Sequence, residues 1–327
     1  MTGPDHLDAD RLSAPGGEPV LLVEAAAWRR PEVPVQAVVI GVDRDGALPA
    51  VVADDFDLLL TTAPEAPRPW VSIDSAAQAE RLADAARENP LTATIAARVL
   101  RLTAKLDFDD ALTVESLAYS ALLGGTEFAR WRSRTDGDQP VPAPVAPVLI
   151  ERDGERITLT LDDPAHRNAM SAAMRDALYE ALANALDDPG RPEVLLRGAG
   201  RCFSTGGALA EFGTARDLAE AHAVRTLHSC ARALDALGER ATVYLHGACV
   251  GSGIEVPAAA HRRIAAPDAW FQLPELTMGL IPGAGGTVTV ARAIGRHRTL
   301  WMLLSGKRIG AAQALDWGLV HAVGDAP

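Results

Sequence analysis

The sequence has few cysteines, no excess of basic charge and no long apolar run, and each shortage removes a class of protein. Its three cysteines, Cys202, Cys230 and Cys249, are odd in number and none stands at a metal-ligand spacing from another. Reduced, buried thiols are therefore expected, rather than a disulfide framework or a metal site. Lys and Arg number 31 against 43 Asp and Glu, a formal net charge of −12. Phosphate contacts are made mainly by Lys and Arg, so this balance argues against a nucleic-acid partner. No apolar stretch approaches the roughly 20 residues that span a bilayer, so no membrane partner is expected. The opening MTGPDHLDADRLSAPGGEP carries acids and no apolar core. It reads as neither a secretory signal nor a transit peptide, and cytoplasmic residence is the expectation. Also missing is a G-x-G-x-x-G after a strand with an acid about 20 residues further on, which sets aside a dinucleotide-binding oxidoreductase.

What is present suits an enzyme. At 327 residues and 48% hydrophobic, the chain can bury one large core or two modest ones. Residues 1–19 are polar, rich in Gly, Pro and Asp, and are expected to be disordered. Residues 20–132 form an N-terminal segment. Its apolar runs Val20 to Val23, Val35 to Val42, Phe56 to Leu60 and Trp70 to Ile73 read as short strands. From Ser75 the period turns helical, with breaks at Asn89-Pro90 and Gly124-Gly125 dividing three helices, and 126–132 adding one more turn. Residues 133–147, SRTDGDQPVPAPVAP, form a Pro-rich linker and the domain boundary. In 148–327 a hairpin turning at Asp153-Gly154 precedes a helix carrying Met170, Met174, Leu178, Leu182 and Leu186. Strand, glycine loop and helix then occur twice, at 193–220 and 242–262, which implies an α/β fold with helices on a largely parallel sheet.

The stretch from Ala241 to Thr287 carries the chemistry. An apolar strand leads to a turn punctuated by Gly247, Gly251 and Gly253, then a helix with Glu255, then a loop in which Glu275 precedes Gly283, Gly285 and Gly286. Two carboxylates beside a glycine-lined turn can hold an anionic intermediate on backbone N–H groups while moving a proton. Taken singly, Glu255 is explained by complementing a helix dipole and Glu275 by an ordinary loop. Asn168 reads as a helix N-cap, and His246 and His261 as structural or exposed. Ser252 lacks the G-x-S-x-G setting of a hydrolase nucleophile.

Five segments in order resemble the crotonase, or enoyl-CoA hydratase/isomerase, superfamily. They are DDPAHRNAM at 162–170, VLLRGAGRCFSTGG at 194–207, HGACVGSGIE at 246–255, FQLPELTMGLIPGAGGT at 271–287 and LSGKRIGAAQALDWGLVHAV at 304–323. The resemblance implies a crotonase-like (ClpP/crotonase) α/β spiral of repeated ββα units, usually a homotrimer or hexamer. It also implies an acyl-CoA thioester substrate, with no metal and no cofactor beyond the coenzyme A of the substrate. By motif position it places the oxyanion-hole amides at Thr205 and Ser252, the catalytic acids at Glu255 and Glu275, and substrate contacts at Phe203, Gly206, Gly251 and Gly283. Both acids mark a hydratase, which adds water to a 2-enoyl-CoA. An isomerase, another acyl-CoA lyase or hydrolase of the same fold, and a noncatalytic acyl-CoA-binding subunit are the alternatives. Ala208 stands where many members have Asp, and Gln272, behind Trp270 and Phe271, where Gly is common; both bear on the shape of the acyl pocket.

Family members continue past the segment matching Gly318-Leu319-Val320 into helices that cover the acyl pocket and build the subunit interface. Residues 75–132 resemble those helices, with an Asn-Pro-Leu break, an amphipathic helix and a Glu-containing helix ending in an aromatic-Arg segment. A circularly permuted arrangement, or a duplicated half, is expected, in which the helical part of the N-terminal segment docks on the 148–327 core; an independent N-terminal domain with an unrelated binding role is the alternative.

Overall fold

Val38 to Asp43 is buried at all six positions, as a strand covered on both faces must be. It forms the second strand of a parallel sheet in which β1 (Val20–Glu24), β2 (Val38–Asp43), β3 (Leu58–Thr61) and β4 (Val71–Ser72) follow in sequence order. The computed structural model describes residues 10–33, 35–135 and 146–327. The disorder expected for 1–9 and most of the expected 133–147 linker lie outside the described residues. Residues 10–19 are not disordered as expected: the Ser13 hydroxyl donates to Asp10 O (2.6 Å) and accepts from Gly16 N (3.0 Å), and Ala37 N donates to Leu12 O (2.8 Å). Those bonds fold the segment into a turn tied to the sheet.

Four helices follow: α1 (Ala76–Glu88), α2 (Pro90–Thr103), α3 (Phe108–Leu123) and α4 (Thr126–Arg132). Asn89 ends the first, and Pro90 occupies the first position of the second, where its missing N–H costs nothing. Asp107 caps α3 by accepting from Asp110 N at 2.9 Å.

A six-stranded sheet organises the rest, running from residues 322–323 at one edge through 262–265, 241–245, 193–198 and 156–161 to 148–153 at the other. Its hairpin β5 (Val148–Asp153) and β6 (Arg156–Leu161) is antiparallel, and β7 (Glu193–Gly198), β8 (Ala241–Leu245), β10 (Arg262–Ala265) and β13 (Ala322–Val323) add in parallel. A smaller sheet joins β9 (Ala248–Val250), β11 (Trp270–Gln272) and β12 (Ile309–Gly310). Helices α5 (Ala172–Asp187), α6 (Leu218–Leu227), α7 (Cys230–Leu237), α8 (Ser252–Glu255), α9 (Gly286–Ile294), α10 (Arg296–Ser305) and α11 (Ala311–Trp317) complete the α/β architecture. The helix expected to include Met170 starts at Ala172, because Ser171 caps it by accepting from Met174 N (3.1 Å), while Met170 bridges to Gly207. Ile40, Leu58, Leu82 and Leu100 lie in the same buried apolar cluster as Leu159, Leu196, Val243 and Leu303. The N-terminal helices pack on helices of the core: α1 on α10, α2 on α9 and α10, and α3 on α6 and α9.

Candidate active site

Two loops meet at the ends of β7 and β9, and a buried asparagine holds the first. Asn168 is wholly buried with φ at +52°, and its Nδ2 is shared among Ala199 O (2.9 Å), Cys202 O (3.1 Å) and Phe203 O (3.0 Å). Its Oδ1 accepts from Asp163 N at 2.8 Å. It is a loop staple, not the expected N-cap; Ser171, three residues on, has the extended backbone a cap requires. Ser204 Oγ donates to Asn168 O (2.7 Å) and accepts from Gly206 N (3.2 Å).

This bonding revises the expected oxyanion donors. Thr205 N donates to Arg167 O at 3.1 Å, so that amide is already committed. The amide of Gly207, two residues on, donates to no acceptor among the described residues, and Gly207 lines the cavity where Thr205 does not. In the second loop the Ser252 amide, at the first residue of α8, donates to no acceptor among the described residues, and Ser252 lines the same cavity. The loops touch, since a Cβ on Gly206 would lie 2.8 Å from Val250 O and one on Gly253 2.5 Å from Ser204 O.

Of the four residues expected to contact substrate, Gly283 lines the cavity and the others stand behind its wall. Phe203 is 1% exposed and packs in the core. Gly206 is filled in by the neighbouring loop, and Gly251 stands beside both acids: with φ at +50°, its Cβ position is 2.7 Å from Glu275 Oε1 and 3.7 Å from Glu255 Oε1. Only glycine leaves room there for both carboxyl groups.

The acids differ in their surroundings. Glu255 Oε2 accepts from Ala284 N (2.7 Å) and Gly286 N (3.2 Å). Burial nevertheless pushes its pKa up to about 7, against the pull of those amides. Glu275 enters on the turn after Pro274, and its Oε2 is buried without a partner. Burial first, and then the charge of Glu255, hold it well above the usual carboxyl range. A third carboxylate arrives from the N-terminal segment. Glu115 on α3 accepts from Gly285 N (2.7 Å), Thr287 N (2.7 Å) and Thr287 Oγ1 (2.6 Å). Burial and the nearby Glu255 raise it to about 8.

Motif reading missed Glu115 and its neighbour Tyr119. The signal that could have found them is an acid at the centre of a buried helical stripe, between Leu112 and Tyr119. A cavity of about 870 Å³ is bounded by Glu115, Tyr119, Gly207, Ser252, Glu255 and Glu275 among others, a volume suited to a small-molecule ligand. Among the described residues no group of three or more His, Cys, Asp or Glu side chains could hold a metal ion, and no helix is long and apolar enough to cross a membrane. The three cysteines are buried and unpaired.

Residues 152–325 match the family described as enoyl-CoA hydratase/isomerase. The 2,3-dehydroadipyl-CoA hydratase of Escherichia coli is 34% identical over 176 residues, 54% of this chain and 68% of that protein. A probable enoyl-CoA hydratase of Bacillus subtilis is 33% identical over 163 residues, 50% of this chain and 63% of that protein. The fatty acid oxidation complex subunit alpha of a Shewanella species is 34% identical over 180 residues, and the chain spans only 26% of its length. Among solved structures, a putative enoyl-CoA hydratase from Rhodopseudomonas palustris superposes with a TM-score of 0.51 at 29% identity, covering 57% of this chain and 72% of that one.

Proposed function

The chain belongs to the enoyl-CoA hydratase/isomerase family, and from that membership we propose that it adds water to a 2-enoyl-CoA to give a 3-hydroxyacyl-CoA, or runs the reverse dehydration. It has the α/β crotonase fold of that family. The observation that carries the reading is Gly251, whose Cβ position would lie 2.7 Å from Glu275 Oε1 and 3.7 Å from Glu255 Oε1, with the free Ser252 amide next along the chain.

In this reading the thioester oxygen lies against the amides of Gly207 and Ser252. Glu255, its Oε2 occupied by amides, offers Oε1 as base. Its pKa of about 7 leaves a useful ionised fraction at neutral pH. Glu275, lacking side-chain donors and facing the Glu255 charge, keeps its proton. Water bonds to the β-carbon as Glu255 takes its proton, and the C=C electron pair moves onto the thioester as an enolate. The enolate oxygen is stabilised by the two amides, and its α-carbon receives the proton of Glu275. Losing one such amide donor would cost about 3 kcal/mol of barrier. Every step uses groups of the chain itself, and coenzyme A enters as part of the substrate. Residence in the cytoplasm and assembly as a homotrimer or hexamer belong to the same proposal.

Mass spectrometry of the purified protein with a panel of 2-enoyl-CoA and 3-hydroxyacyl-CoA thioesters tests it. Gain or loss of one water is expected. Migration of the double bond without hydration would overturn the hydratase reading in favour of an isomerase, and release of free coenzyme A in favour of a hydrolase.

A further inference from the structure

The cavity that holds Glu255 and Glu275 also contains a cation without an anion. Arg225 on α6 lines its wall. Its Nη1 donates to Ser116 O (3.3 Å), Ser116 Oγ (2.8 Å) and Ser120 Oγ (3.1 Å), all neutral acceptors on α3. Its guanidinium carbon stands 4.6 Å from the centroid of the Tyr119 ring. Among the described residues no carboxylate pairs with Arg225; Arg240 and the buried Arg263 also meet only neutral acceptors, but neither lines this cavity, where the other partly buried arginine, Arg175, meets Asp176. The charge of Glu115 is felt at Arg225, but both Glu115 oxygens are taken by Gly285 and Thr287. A largely desolvated guanidinium held at one nitrogen keeps the rest of its planar fork open, and such a group recruits an anion.

Its place in the cavity says which anion. A Cβ on Gly283 would lie 2.7 Å from the Tyr119 ring, and the next residue, Ala284, holds Glu255 by its amide. Tyr119, with Arg225 over its ring, thus adjoins the turn that holds Glu255. The Gly207 side is walled instead by the Phe212 ring, 2.5 Å from where a Cβ on Gly207 would be. The rim at Thr214, Ala215 and Arg216 is exposed, and bulky, charged coenzyme A belongs at such a rim. If the thioester oxygen lies on the Gly207 and Ser252 amides and coenzyme A at the rim, the part of the same cavity left for the distal acyl chain includes Tyr119 and Arg225. We propose that Arg225, with its guanidinium set over Tyr119, reads a carboxylate at the distal end of the acyl chain, so that the substrate class is the 2-enoyl-CoA of a dicarboxylic acid. This assignment of substrate class rests on the hydration reading, although binding at Arg225 does not require turnover.

The test is calorimetric titration of the full chain with adipyl-CoA, hexanoyl-CoA and the six-carbon thioester ending in a carboxamide, all saturated and unreactive. Adipyl-CoA is expected to bind about tenfold or more tightly than either neutral thioester. That ratio should collapse toward unity in Arg225→Gln and survive in part in Arg225→Lys. Equal affinities in the wild-type protein overturn the proposal, and this comparison needs no variant to fold. An equal loss on all three thioesters in Arg225→Gln overturns it too, by assigning Arg225 to a phosphate of coenzyme A. A retained adipyl-CoA preference without hydration of the matching enoyl thioesters would sink the hydration reading and leave the anion site standing.

Discussion

Glu115 and Glu255 bind alternate amides of one turn: Glu115 accepts from Gly285 and Thr287, and Glu255 from Ala284 and Gly286. The turn opens α9, whose first N–H groups have no partner within the helix. One acid comes from the N-terminal helices and the other from the core, so the two parts of the chain meet on the loop that positions the proposed base.

Glu255→Gln and Glu275→Gln should each lower hydration by about 10²- to 10⁴-fold. Acyl-CoA binding should stay within a few-fold, because each change removes a proton-transfer group with little change of shape. Turnover measured beside calorimetric binding checks this. Near-normal turnover in either variant would rule out a two-acid mechanism.

The pH profile of kcat/KM should be bell-shaped. Activity rises as Glu255 ionises around pH 7 and falls where Glu275, held well above the usual range, gives up its proton. Stability should run the other way. Carboxyl groups whose folded pKa is raised bind protons more tightly folded than unfolded, so their contribution is full below the ordinary value of 4.5. It is lost as pH climbs through about 7 and 8 for Glu255 and Glu115. Thermal midpoints from pH 4.5 upward should therefore decline, and Glu115→Gln, which cannot ionise, should flatten the slope. A midpoint that rises over this range would contradict the assignment.

Gly251→Ala should damage turnover more than binding. The new methyl would sit 2.7 Å from Glu275 Oε1 at a φ of +50°, displacing the proposed acid from its neighbour. A misplacement of about 1 Å typically costs about a hundredfold in rate. Steady-state kinetics with a binding measurement would show it, and an unchanged kcat would mean that the spacing of the acids is not critical.

We propose that α1 to α4 take the place of the helices that follow the matching Gly-Leu-Val segment in crotonase-like proteins, as a circular permutation. Its support lies in contacts between N-terminal segment and core: Thr103 Oγ1 donates to Thr287 O (3.0 Å), Arg292 Nη2 to Leu106 O (3.1 Å) and Arg68 Nη2 to Ala293 O (2.6 Å). Residues 146–327 expressed alone should aggregate through the uncovered apolar face, and co-expression of 1–140 should rescue them. A soluble, fully active core by itself would end the permutation idea.

The elements were largely legible in the sequence because strands, helices and turns obey local rules. Asn89-Pro90, Asp153-Gly154 and the two strand–glycine–helix repeats lie where period and turn chemistry put them, while the strand expected from Val35 to Val42 runs from Val38 to Asp43. The proposed acids were legible too, since Glu255 and Glu275 sit inside motifs of fixed spacing. Three features were decided by tertiary structure. Thr205 and Gly207 are near neighbours in one loop, yet only the fold brings Arg167 O to the first and leaves the second free. Glu115 reaches the site because α3 packs on α9, a contact between distant parts of the chain. Among the described residues Arg225 pairs with no carboxylate, because the α3 side chains it bonds are Ser116 and Ser120 while the oxygens of nearby Glu115 are taken by Gly285 and Thr287. A backbone period is set by nearest neighbours along the chain, whereas whether a donor is satisfied or a charge is paired depends on what packing brings within about 3 Å.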